Sequence, residues 1–261
     1  MNSNLRSIHP KAKIGSHVEI GPFVTIEEDV EIGDHCVIKP NAVIMNGTRL
    51  GDHCIIYPGA IVGAEPQDLK FQGEYTTLEI GNHTTIREYC TLNRGTLASG
   101  KTTIGHHSLI MAYVHVAHDC QIGNYAVLSN CVTLAGHVEV ADHAIIGGLV
   151  AVHQFVKIGQ YSFIGGGSLV RKDVPPFVKA SKDPLSYIGV NSIGLKRKGF
   201  ANDRIHTIED IYRILFIKYR NRSKAMEEIN KLFDIGEDRD NIIDFVNSSE
   251  RGIIKGLAAV S

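Results

Sequence analysis

Residues 104–139 read IGHHSL IMAYVH VAHDCQ IGNYAV LSNCVT LAGHVE, six blocks of six that open on Ile104, Ile110, Val116, Ile122, Leu128 and Leu134. The same register reaches back to Ile8, through Ile14, Ile20, Ile26, Ile32, Ile38, Ile44, Leu50, Ile56 and Val62, and forward to Val170; only Asp68, Glu74 and Ala98 break it. Six is not a helical period, but it holds three strand alternations, so each block reads as a short strand and a corner. Gly follows many of the aliphatics, as at Ile14-Gly15, Ile32-Gly33 and Ile122-Gly123, and marks a recurring turn. Three blocks make one triangular coil, stacking residues 18 apart in columns about 4.8 Å per coil along three parallel sheets. The expectation is a parallel β-helix prism.

A second column of small or β-branched residues precedes each aliphatic by two, including Ala12, Val24, Cys36, Cys54, Cys90, Ser108 and Cys120. Four of the five Cys are thereby read as packing, and with no CxxC pair the chain has neither a disulfide framework nor a structural zinc motif. The breaks fall around Gln67–Glu74 and Leu97–Lys101, which are expected to be loops leaving the coil, and such excursions tend to carry function. The repeat ends after Val170, and Asp173-Val174-Pro175-Pro176 reads as the exit, followed by a polar linker. Ile208, Ile211, Tyr212, Leu215, Phe216 and Tyr219 then share one helical face, with Thr207 as the expected N-cap. Further short helices are expected around Met226–Phe233 and Ile242–Val246, and a poorly ordered tail after Gly252. The division expected is a β-helix over 1–185 and a small α-helical domain over 186–261.

The 261 residues carry 27 Lys and Arg against 28 Asp and Glu, so no global basic field points to nucleic acid. No run is long and apolar enough to span a membrane, and Met1–Lys13 lacks a signal-peptide core, so a cytoplasmic protein is expected.

The register also sorts the 13 His. His17, His35, His53, His83, His107 and His143 follow an aliphatic by three and read as solvated corners, while His9, His106 and His206 have no notable neighbours. His118, His137, His153 and Gln154 fall in three successive coils at one wall, with Gly136 one coil above His118. Three readings are open for this wall: a stacked polar ladder, a zinc site, or acid–base chemistry with His118 as base oriented by Asp119 or a carbonyl.

The hexads, together with His115-Val116-Ala117-His118-Asp119-Cys120, Leu134-Ala135-Gly136-His137-Val138, Ala151-Val152-His153-Gln154-Phe155, Gln67-Asp68-Leu69-Lys70-Phe71 and Gly194-Leu195-Lys196-Arg197-Lys198-Gly199-Phe200, resemble the acyl-[acyl-carrier-protein]–UDP-N-acetylglucosamine O-acyltransferases, hexapeptide-repeat enzymes of lipid A synthesis. The resemblance covers nearly the whole chain. It implies a left-handed parallel β-helix, against the usual right-handed crossover, and a homotrimer with sites between neighbouring prisms. The reaction implied moves an R-3-hydroxyacyl chain from acyl carrier protein to the glucosamine 3-hydroxyl of UDP-N-acetylglucosamine, with no metal and no cofactor beyond the carrier's phosphopantetheine. It also implies roles: His118 as base, Asp119 as its orienting acid, the Gly136 N–H as oxyanion donor, and Asp68, Lys70, His115, His137, His153 and Gln154 as substrate contacts. Asn191 and Arg197 match the nucleotide end, where Ile193 replaces a familiar Glu and Lys198 a second Arg. Gly166 matches the position that limits acyl length, so a long hydroxyacyl donor is expected. Lys172, Lys179, Lys182, Lys196, Arg204 and Arg213 are the expected docking patch for the acidic carrier. The competing classes are a sugar N-acyltransferase or coenzyme A-dependent O-acetyltransferase of the same repeat, a metal hydrolyase, and a non-catalytic scaffold.

Overall fold

The computed structural model describes residues 5–219 and 221–256. Most hexads form a two-residue strand that ends on the inward aliphatic and then turn a corner. The strands build the three faces of a left-handed parallel β-helix. Face 1 runs from Ser7–Ile8 to Leu169–Val170, face 2 from Lys13–Ile14 to Lys157–Ile158, and face 3 from Glu19–Ile20 through Phe163–Ile164. Partners lie 18 residues apart, as in Ile8↔Ile26, Ile14↔Ile32 and Ile20↔Ile38. The offset lengthens to 30 across the first excursion, Leu50↔Ile80, and to 24 across the second, Ile80↔Ile104, so both loops leave without disturbing the stack.

The inward aliphatics and the small-residue column close the core: Ile56, Ile86, Ile110, Leu128 and Ile146 are fully buried, with Cys36, Cys54, Cys90 and Cys120 between them. Burying each large aliphatic contributes about 2 kcal/mol. The first coil has nothing beneath it, so Ile8 and Ile14 stay exposed. Corner residues three after an aliphatic adopt left-handed backbone, for example His17, Asp119, His137 and Phe155 with φ of 56–62°.

The prism extends beyond the expected exit. Val174 bridges to Ile158, Val178–Ser181 adds a parallel strand to face 3 through Ile164↔Ala180, and Ser186–Val190 returns antiparallel against it. The expected polar linker is therefore a hairpin, and the sheet runs across residues 185 and 186. Four helices follow: α1 (Ser192–Arg197), α2 (Asn202–Arg213), α3 (Arg222–Leu232) and α4 (Glu237–Ser248). Thr207 is not a cap. It lies inside α2, its hydroxyl donating to the Asp203 carbonyl one turn back at 3.0 Å, because the helix begins at Asn202. A π-helical turn, Ile214–Lys218, continues α2, and the buried Tyr212 hydroxyl donates to the Pro176 carbonyl, pinning α2 to the prism. The expected loose tail is also corrected: Ile253 and Ile254 are buried, and Lys255–Gly256 pairs with Ser186–Tyr187. Residues 257–261 lie outside the described residues. No helix among those described is long and apolar enough to cross a membrane.

Candidate active site

The three edges of the prism differ in what their corners carry. Along the edge between faces 2 and 3, His17, His35, His53, His83, His107, Tyr125, His143, Tyr161 and Phe177 stack ring on ring, mostly 4.6–5.0 Å apart. These corner histidines are a continuous aromatic column rather than isolated solvated turns, and one-coil spacing matches ring-stacking distance. One position earlier on that edge, each coil's N–H is accepted by the next coil's side chain: Ser16 N–H by Asp34, Asp34 by Asp52, Asp52 by Asn82, Asn82 by His106 Nδ1, His106 by Asn124 and Asn124 by Asp142, at 2.6–3.0 Å. His106 is thus a rung of a ladder, a partner that the sequence reading missed. His9 also has neighbours, Lys11 and Glu28.

The edge between faces 1 and 2 is built otherwise. Both excursions, residues 65–76 and 94–100, leave from it, in the two coils preceding His118. At the ladder position it carries His118, Gly136 and Gln154, and among the described residues the Gly136 N–H has no acceptor. Gly136 sits against the His118 ring; a Cβ there would lie 2.7 Å from Cε1 and 2.9 Å from Nε2. Gly136→Ala is accordingly expected to push the ring aside and lower turnover about 10²-fold, as misplacement of about 1 Å does; unchanged turnover counts against the arrangement.

Asp119 is the most constrained group of this edge. Its side chain is fully buried. Oδ1 accepts from Thr96 N–H at 2.9 Å and from Ser99 Oγ; Oδ2 accepts from Thr96 Oγ1 and His118 Nδ1, both at 2.7 Å. Its own N–H donates to Thr102 Oγ1 at 2.8 Å. A carboxylate only accepts, so the His118 proton sits on Nδ1 and leaves Nε2 with a free lone pair, beside the unpaired amide of Gly136. Burial opposes the charge on Asp119, yet the bonds from Ser99, His118 and Thr96 outweigh it and hold the carboxyl at about 2, down from 3.8. The lowered value stabilises the fold above pH 3.8, and that contribution disappears as pH falls toward 2. Denaturant melts of wild type and Asp119→Asn are expected to differ at pH 6 and to converge near pH 2; a constant difference contradicts the assignment.

Thr96 and Ser99, from the second excursion, were not singled out by the sequence; the only signal was that the repeat breaks at Ala98. His118, Asp119 and His137 offer three ligand atoms within 4.8 Å of one another. Both Asp119 oxygens already carry two hydrogen bonds each, filling the roughly four acceptor sites of a carboxylate, and His118 Nδ1 is spent on Asp119. The donor set suits proton transfer better than a cation.

Around this centre, His137 packs edge-on against His118 at 5.1 Å and stacks on Phe155 at 4.5 Å. His115 faces outward on face 1, its Nδ1 2.7 Å from Thr91 Oγ1, and burial lowers its pKa, keeping the ring neutral. His153 meets Arg251 at 3.1 Å. Asp68 and Lys70 stand on the first excursion, where the Asp68 carboxylate accepts the Lys70 N–H and neither touches His118. The remaining expected site residues lie on other edges. Gly166 is on the edge between faces 3 and 1, against the Gly148 carbonyl. Asn191 caps α1 through Gly194 N–H and donates to the Tyr161 carbonyl, beside the aromatic column, where Lys198 approaches the Tyr125 ring at 5.6 Å. Arg197 is the last residue of α1, the helix that Asn191 caps.

A hexapeptide prism that holds an imidazole with a free Nε2 in one corner defines a hexapeptide-repeat acyltransferase. The bacterial transferase hexapeptide model matches residues 11–46, 29–64 and 101–136, and the model described as UDP-N-acetylglucosamine O-acyltransferase, domain 2, matches 173–254. Acyl-[acyl-carrier-protein]–UDP-N-acetylglucosamine O-acyltransferases of Sulfurihydrogenibium sp. and Chlorobaculum parvum are 56% and 54% identical over 94% and 95% of this chain and 93% and 97% of their own. The crystal structure of a UDP-N-acetylglucosamine acyltransferase from Bacteroides fragilis superimposes with a TM-score of 0.95 at 46% identity, covering 98% of this chain and all of that one. The chain belongs to the acyl-[acyl-carrier-protein]–UDP-N-acetylglucosamine O-acyltransferase family.

Proposed function

We propose that this protein transfers an R-3-hydroxyacyl group from the phosphopantetheine thioester of acyl carrier protein to the glucosamine 3-hydroxyl of UDP-N-acetylglucosamine, in the cytoplasm, by direct attack. The observation that carries the mechanism is the His118 ring, oriented through Nδ1 by a buried Asp119 and bare at Nε2 beside an unpaired Gly136 N–H. Nε2 takes the proton of the sugar hydroxyl as its oxygen attacks the thioester carbon. The carbonyl oxygen gains charge and the Gly136 N–H stabilises it. The tetrahedral species then expels the carrier thiolate, which takes the proton back from His118. Asp119 stabilises the transient imidazolium and stays ionised. No protein thiol takes part, in keeping with four Cys buried as packing.

The working unit in this proposal is a homotrimer, and the division of the site among edges supports it. His118 and Asp119 occupy one edge, Asn191 and Arg197 another and Gly166 the third, and one face of six residues at about 3.3 Å each separates neighbouring edges by up to about 20 Å. A second copy brings them together. The outer surfaces agree: face 2 carries cross-coil ion pairs, Lys13–Glu31, Lys101–Glu79 and Lys157–Glu139. Face 3 presents Val37, Ile55, Leu109, Val127, Ile145 and Phe163, and face 1 Val43, Ile61, Ala151 and Leu169. The edge where faces 3 and 1 meet exposes Phe23, Tyr89, Tyr113 and Leu149, the last 71% exposed. Two faces without cross-coil ion pairs, charged on face 3 only at its ends by Glu19 and Lys179, and an edge of exposed aromatic and aliphatic side chains fit a head-to-tail ring, face 1 on the neighbour's face 3.

The acyl chain, in this geometry, lies along face 1 from His118 toward Gly166, which keeps the groove open. The test is product mass after reaction of UDP-N-acetylglucosamine with a mixed pool of hydroxyacyl carriers, and separately with acetyl-coenzyme A. Long 3-O-hydroxyacyl products are expected; turnover with acetyl-coenzyme A alone overturns the proposal. Gly166→Met is expected to shift the product distribution to shorter chains in the same pool, and an unshifted distribution removes Gly166 from the groove.

A further inference from the structure

A cavity of about 870 Å³ opens beside Asp119 and His137, walled on the far side by the chain after α4. Besides Lys157, which pairs with Glu139, three cations face it: Arg171, Lys172 and Arg251. Among the described residues none of the three lies within 4.0 Å of a carboxylate oxygen, whereas Lys157, Arg204 and Arg213 do. Arg204 and Arg213 of the expected docking patch, for instance, are neutralised by Asp238 and Asp210. Of the acids in its wall, Asp119 is held by the four donors above, Asp173 accepts from Lys157 N–H and Ser249 Oγ, Glu139 pairs with Lys157, and Glu250 lies beyond 4.0 Å of any of the three cations. Arg251 is held by Ser249 on Asp173, by Asp173 N–H on the Gly252 carbonyl and by Ile254 N–H on the Asp173 carbonyl. Its guanidinium touches His153, and its Nε is buried with no partner. An unpaired buried guanidinium donor is destabilising, and an anion in the cavity relieves it.

We propose that Arg251, with Arg171 and Lys172, forms a phosphodiester-binding subsite that receives the phosphate of the donor's phosphopantetheine arm. This rests on the reading of the site as an acyl-carrier-dependent transferase. A guanidinium suits a phosphodiester by its planar fork, and Lys172 adds a point charge. The donor is favoured over the acceptor's diphosphate by position. Arg171 and Lys172 also line a second cavity, about 540 Å³, whose walls include Leu169 of face 1 together with Leu185 and Ile254. The cations therefore sit at the His118 edge and open onto the face along which the acyl chain runs, where the donor arm enters.

The test is calorimetric titration of the intact protein with the methyl phosphodiester of 4′-phosphopantetheine, with pantetheine, which lacks the phosphate, and with UDP, for wild type, Arg251→Gln and Lys172→Gln. Wild type is expected to prefer the phosphorylated compound by about tenfold or more, and Arg251→Gln to erase most of that preference, as loss of a charged hydrogen bond does. Lys172, exposed, serves as the variant least able to disturb folding and is expected to erase a smaller part. Equal binding of the phosphodiester and of pantetheine by wild type overturns the subsite, as does an unaltered preference in both variants. Loss of UDP affinity in Arg251→Gln with the pantetheine preference intact assigns the cations to the acceptor and also overturns it. A wild type that binds the phosphodiester preferentially but transfers no hydroxyacyl group defeats the proposed function and leaves the subsite standing.

Discussion

Replacing His118 by alanine is expected to lower kcat for hydroxyacyl transfer by about 10²–10⁴-fold, the range for removal of a positioned general base. The loss belongs to kcat rather than KM, because Nε2 interacts with a proton that moves only as the sugar oxygen attacks. The fold survives, since the side chain is partly solvent-accessible and Asp119 keeps its bonds from Thr96 and Ser99. A melting temperature and oligomeric state like wild type, with the rate loss, is the expected pair of results. Activity within a few-fold of wild type removes His118 from the mechanism and favours a scaffold.

The second large effect is expected at Asp119→Asn, a loss of about 10³–10⁴-fold with near-native geometry. The amide's NH₂ group, if turned to His118, donates to Nδ1 and moves the ring proton to Nε2, where the lone pair is needed. If turned away, it meets the Thr96 N–H and the Ser99 hydroxyl, which already donate. Either orientation spoils one side of the network. Steady-state rates at saturating UDP-N-acetylglucosamine check this, and a loss of less than tenfold indicates that Asp119 only supports the edge structurally.

Both variants probe a site whose core was legible in the sequence. His118, Gly136, His137 and Gln154 obey the six-residue period, so counting 18 residues per coil was enough to stack Gly136 on His118, and the structure places it against the ring. The same arithmetic explains the buried Cys column. It did not reveal that His17 through Phe177 form one stacked column, because ring stacking depends on left-handed corner backbone that aims successive side chains along the edge. Thr96, Ser99 and Arg251 were invisible for a different reason. They lie on non-periodic chain, and what they touch is decided by loop closure over many residues rather than by register: Ser99 reaches a carboxylate 20 residues on, and Arg251 a His 98 residues back. The hairpin after Val170 was missed because Val178–Ser181 keeps its place on face 3 without an aliphatic at the sixth position, and Thr207 was misread because α2 begins at Asn202 with Ala201 as its uncapped N-cap.

The central claim is that one catalytic centre is assembled from edges of two neighbouring prisms, His118 from one and Arg197 from the next. Mixing unfolded His118→Ala and Arg197→Ala chains, refolding them together and assaying transfer at limiting UDP-N-acetylglucosamine tests it directly. About a quarter of the interfaces in random head-to-tail trimers then join an intact His118 to an intact Arg197, so activity well above either refolded parent is predicted. Activity no greater than the average of the parents contradicts the shared site.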